Sequence, residues 1–172
     1  MLFASWFRIA VTTLLFGLSV FQFIEGEIGN GIFALLLSLV VLITVWMSEA
    51  IIFAFLAIRK GDFVKARKRL DWIKKPDGLI KMQRAYYWYL DGLIRSQSGE
   101  LSKADSSLKK ALGFGLYMNH DRAMAKLNLA GIAASRRRKR EALNWLAEAK
   151  KDDDKKMLAD QLKMMKAQIS RM

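Results

Sequence analysis

At 172 residues the chain has room for about one domain and a small appendage. It carries 29 Lys and Arg against 16 Asp and Glu, a net charge of +13, with one His and no Cys. Disulfides, thiolate metal sites and cysteine nucleophiles are thereby excluded, and a lone His120 cannot build a usual transition-metal site.

The apolar residues gather at the N-terminal end. No charge falls between Ile9 and Ile24, and between Ile32 and Ile58 the sole charge is Glu49. Both runs match the roughly 17 to 25 residues that cross a bilayer, so residues 1–47 read as a two-helix transmembrane hairpin with spans at about 4–24 and 32–52. The first run lacks a small-x-small cleavage pattern and reads as a retained anchor. The turn from Glu25 to Gly31 holds two acids and no base, whereas the chain after Ile58 holds 28 Lys and Arg against 13 Asp and Glu. The positive-inside bias then puts both termini in the cytoplasm and makes the chain a multi-pass membrane protein. With the hairpin centred near Ile28, Arg8 and Glu49 reach a similar depth and suit an intramembrane ion pair.

No Gly or Pro interrupts the stretch between Gly31 and Gly61, so one helix of about 44 Å is expected from Ile32 onward, joining the second span rigidly to the downstream helices. Just beyond it Arg59, Lys60, Lys65, Lys68 and Arg69 are placed to meet anionic lipid headgroups. A helix from Phe63 to about Lys75 is ended by Pro76-Asp77-Gly78. Further helices are expected at about 79–98, 101–112, 121–135 with Asp121 as N-cap, and 141–151. Asp152-Asp153-Asp154 set acids at the start of a last helix in 152–172, which reads as a cap on the stack.

A spacing of 38 residues runs through this all-α region. Gly61, Ala66, Leu70 and Ile73 are echoed by Gly99, Ala104, Leu108 and Ala111, and then by Arg137, Ala142, Leu146 and Ala149. With Trp88 and Gly92 upstream of Gly99, the pattern resembles the tetratricopeptide repeat over residues 48–151, as three helix pairs. The period is 38 rather than 34, and the Pro usual at the end of each unit is absent except for Pro76.

The resemblance implies a groove lined by the first helix of each pair, with Phe55, Tyr86, Tyr89, Leu93, Gln97, Met124 and Leu127 as partner-binding residues. These are mainly apolar, so a hydrophobic or aromatic-anchored protein partner at the membrane is expected, unless the terminal helix closes the groove. Arg136 to Arg140 reads as a solvated basic tip. No phosphate-cradling Gly loop, catalytic constellation or cofactor site stands out. The sequence therefore points to a membrane adaptor or accessory subunit and not to an enzyme. The alternative is a surface binder of anionic lipid or nucleic acid; nucleic acid is disfavoured because no aromatic residues interleave the basic run.

Overall fold

The computed structural model describes residues 2–46 and 48–171, and every regular element among them is helical. The chain divides into two units, Met1–Glu49 and Ala50–Met172.

The first unit is a hairpin of α1 (Leu2–Ile24) and α2 (Ile28–Trp46). Gly26 turns it at φ +81°. Small polar residues fill the seam: the Ser19 hydroxyl donates to the Gly31 carbonyl at 2.8 Å, and the Ser38 hydroxyl to the Thr12 carbonyl at 3.3 Å. Gly31 is buried against the Phe23 ring, where a Cβ would lie 3.1 Å from ring carbons. Large apolar side chains, among them Phe16, Phe21, Phe33 and Leu39, point outward and are exposed. Among the described residues no helix is long and apolar enough to cross a membrane.

The expected single rod from Ile32 to Arg59 is two helices. α2 ends at Trp46, Ser48 is not helical, and α3 (Glu49–Arg59) starts afresh. Serine competes for backbone groups and favours helix ends, and Glu49 in the first turn complements the dipole of α3. The expected Arg8–Glu49 pair rests on the Arg8 side chain, which lies outside the described residues.

The second unit continues with α4 (Phe63–Leu70), α5 (Lys81–Gln97), α6 (Leu101–Phe114), α7 (Asn119–Ser135), α8 (Lys139–Asp152) and α9 (Ala159–Ser170). α4 stops five residues short of its expected end. Pro76 disfavours helix in the residue before it, and Ile73 is buried in the core from a turn. The residues of the 38-residue echo form the heart of the packing: Ala66, Ala104 and Ala142 are fully buried, as are Leu108, Ala111 and Ala149.

The echo also fixes the turns. After α3 the Gly61 amide donates to the Ile58 carbonyl and the Asp62 amide to that of Ala57, both at 2.9 Å. The same pair of bonds recurs from Gly99 to Ser96 and Glu100 to Arg95, and from Arg137 to Ala134 and Arg138 to Ala133. This is the Schellman arrangement, which needs a left-handed residue at the pivot. Gly61, Gly99 and Arg137 supply it at φ +76°, +78° and +58°.

Two further contacts tie the pairs together. Gly92 lets α5 approach α6 so closely that a Cβ there would meet Leu108 Cγ at 2.6 Å. Beside it Asp91, 1% exposed, accepts from Arg67 of α4 at 2.8 Å, Arg95 of α5 at 2.7 Å and the Ser107 hydroxyl of α6 at 2.7 Å. A buried carboxylate is tolerated only with such partners, because its desolvation costs several kcal/mol.

Candidate functional site

Helices α3, α5 and α7 present one side each to a shared groove of about 880 Å³. Their inward positions recur at helical spacing: Phe55 and Ile58 on α3, Tyr89, Leu93, Ser96 and Gln97 on α5, and Met124 and Asn128 on α7. Small residues of the same helices, such as Ala54, Ala85 and Ala125, are fully buried in the core, while bulkier apolar side chains line the opening.

Of the seven residues expected to bind a partner, Phe55, Tyr89, Leu93, Gln97 and Met124 line the groove. Leu127 is buried in a separate core cluster with Ala130, Leu146 and Leu162. Tyr86 stands behind the wall, edge-on to Tyr89 at 6.4 Å, and its hydroxyl donates to Asp121 Oδ2 at 2.9 Å. Burial, reinforced by the Asp121 carboxylate as hydrogen-bond acceptor and nearby charge, pushes the Tyr86 phenol up to about 12. Burial likewise raises that of Tyr89, with Asp121 adding to it.

One end of the groove is polar and acidic, which the apolar expectation missed. α7 begins at Asn119, so Asp121 sits inside the first helical turn and is not the N-cap. It is 4% exposed, lines the groove and has no cationic partner among the described residues. His120 and Asn119 line the groove beside it. The run Asp152 to Asp154 also borders this end, and its members differ in role. Asp152 pairs with Lys126 at 2.9 Å, Asp153 accepts the amides of Met157 and Leu158 ahead of α9, and Asp154 accepts from the Asn119 side chain. None of the three caps α9, whose N-cap is Leu158; Asp153 ties the turn ahead of it, and residues 152–155 and 157 rim the groove where a simple helix start was expected.

α9 does not close the opening. It buries Leu162 and Ile169 against residues of α7 and α8, away from Phe55 and Leu93. A second cavity of about 630 Å³ lies between α8 and α9, rimmed by Lys150, Lys156, Lys163 and Lys166.

The basic residues that the sequence singled out fall in two places. Arg59, Lys60, Lys65 and Lys68 are exposed, and Arg69 is half-buried over the Phe53 and Trp72 rings. Within Arg136 to Arg140 only Arg136 is half-buried, and Arg138 pairs with Glu141 at 3.3 Å. Among the described residues no group of three or more His, Cys, Asp or Glu could hold a metal ion. No family model, curated protein or solved structure matches the chain.

Proposed function

We propose that this protein is a membrane-anchored adaptor or accessory subunit whose tetratricopeptide-like helix pairs hold a segment of a partner protein. The observation that carries the reading is the open groove with Phe55, Leu93 and Met124 on its walls and buried Asp121 at one end. Apolar walls take an aliphatic or aromatic anchor, and a carboxylate without a cation favours a Lys or Arg beside that anchor.

Support for the membrane part is the inverted packing of the hairpin, not helix length. Ser19 and Ser38 are buried while Phe16, Phe21, Phe33 and Leu39 are exposed. Helices associate this way in lipid, where small polar residues form the seam and large apolar ones face the chains. The termini are then cytoplasmic, since the basic residues come after the hairpin.

The test is recovery from membranes in mild detergent. A stoichiometric protein partner should accompany the wild type and be lost from Leu93→Asp and Met124→Asp variants that keep their helical circular dichroism. No stoichiometric partner, combined with salt-sensitive vesicle or oligonucleotide binding abolished by neutralising Arg136 to Arg140, would replace the adaptor with a surface binder. Release of the chain from vesicles by alkaline carbonate would remove the hairpin anchor.

A further inference from the structure

The outer faces of α3 and α4 carry large apolar side chains that no other described residue of the second unit covers. Ile52, Phe53 and Leu56 are exposed on α3, with Val64 on α4 at 71% and Trp72 just beyond it at 51%. Positions 52, 53 and 56 share a helix side with 59 and 60. The Arg69 guanidinium joins the two faces, 5.5 Å from the Phe53 ring centre and 4.4 Å from that of Trp72.

Bases are interleaved with these side chains. Arg59, Lys60, Lys65 and Lys68 are exposed, and none is ion-paired among the described residues. The nearby acids are occupied: Asp62 accepts the Lys65 amide at 2.8 Å, and Asp71 pairs with Arg67 at 3.0 Å. A protein covering this face would have to desolvate four unpaired cations or supply an acid for each. An anionic lipid layer meets both demands at once. Apolar side chains enter the headgroup boundary, tryptophan is enriched at that depth, and Lys and Arg stems lie along the surface with their charges beside phosphate. α3 also begins three residues after the apolar hairpin ends, so the face is tethered beside any membrane the hairpin enters.

We propose that the α3–α4 face is a lipid-docking surface that lies on an anionic headgroup layer. The proposal rests on the membrane-anchored reading for its tether.

The chain has no cysteine, so Val64→Cys accepts a single nitroxide, and Tyr117→Cys, at a site 81% exposed between α6 and α7, provides an aqueous reference. The full chain is placed in lipid nanodiscs of phosphatidylcholine with or without phosphatidylglycerol, and accessibility to oxygen and to a nickel complex is read by electron paramagnetic resonance. With phosphatidylglycerol the oxygen-to-nickel ratio at 64 should exceed that at 117 by about threefold or more. The excess should vanish when Arg59, Lys60, Lys65 and Lys68 are all replaced by Gln. A label at 64 as aqueous as that at 117 overturns the proposal. So does shielding that is unchanged in phosphatidylcholine alone, in detergent and in the four-Gln variant, which would mean that protein covers the face. Carbonate extraction separates the two ideas: an integrated chain with an aqueous label sinks the docking face alone, and an extracted chain whose label still enters anionic vesicles sinks the hairpin alone.

Discussion

Arg137 takes the place of a glycine, and replacing it should stabilise the protein. The three Schellman turns have the same hydrogen bonds, yet the third puts a side chain on a residue at φ +58° where the others have Gly61 and Gly99. A left-handed residue with a Cβ costs roughly 1 to 2 kcal/mol, and glycine gives back about 0.4 to 1 kcal/mol through its freer unfolded chain. Arg137 is exposed and has no ion pair among the described residues, so its side chain offsets little of this. Arg137→Gly should therefore stabilise by about 0.5 to 1 kcal/mol, a rise of about 1 to 4 °C in Tm. Gly99→Ala is the mirror experiment. A Cβ at Gly99 meets nothing within 4 Å, so only φ +78° opposes it, at a cost of about 1 kcal/mol. Thermal and urea midpoints by circular dichroism in one detergent give both signs, and slower exchange of the Arg138 amide would localise the gain. Midpoints moving in the same direction for the two variants, or a lower one for Arg137→Gly, would refute the reasoning.

Three other perturbations test the packing. Gly92→Ala gains about 1 kcal/mol of helix propensity but drives a Cβ into fully buried Leu108, for a net loss of about 1 to 2 kcal/mol; a double-mutant cycle with Leu108→Ala should then be clearly non-additive. Asp91→Ala leaves Arg67, Arg95 and Ser107 facing a void and should cost about 3 kcal/mol in urea titrations, with Asp91→Asn costing less. Tyr86→Phe removes the hydroxyl from buried Asp121 and should cost about 1 to 3 kcal/mol at neutral pH. Because the folded phenol titrates at about 12, above its usual 10, its stabilisation is complete below pH 10 and is lost as the pH rises from 10 to 12. The alkaline fall in urea midpoint should accordingly be shallower in Tyr86→Phe, and absorbance at tyrosinate wavelengths should show one late-titrating phenol fewer.

The helix pairs were legible because their chemistry is periodic: Ala66, Ala104 and Ala142 recur where backbones meet, and Gly61 and Gly99 mark the turns. The placement of Phe55, Leu93 and Met124 along one groove was legible for the same reason, since the lining positions recur at helical spacing on the first helix of each pair. Asp121 was not. An Asp near a helix start looks the same whether it caps the helix or, as in α7, takes a hydroxyl from a tyrosine 35 residues away. Asp91 was missed on similar grounds, since Arg95 four residues on looks like an ordinary surface pair while its other partners lie 24 residues before and 16 after it. The break at Ser48 gave only a weak polar signal inside an apolar run, without Gly or Pro to announce it.

The Asp91 junction also sets an order of events when the second unit is pulled apart or warmed. Nearest-neighbour stacks open from whichever end is joined least firmly. α4, α5 and α6 are stapled by one shared carboxylate, and α7 joins them through the Tyr86 hydroxyl on Asp121 and through Ala125, Leu129 and Ile132 in the same apolar core. α8 and α9, whose buried side chains belong to the second core cluster, should peel away first and carry the acidic rim of the groove with them, leaving a partial stack that still holds its shape. If the groove holds a partner segment as proposed, a tug on that segment would release it by fraying the far end while the α4–α6 portion stays folded, so that grip fails and re-forms without the domain losing its nucleus.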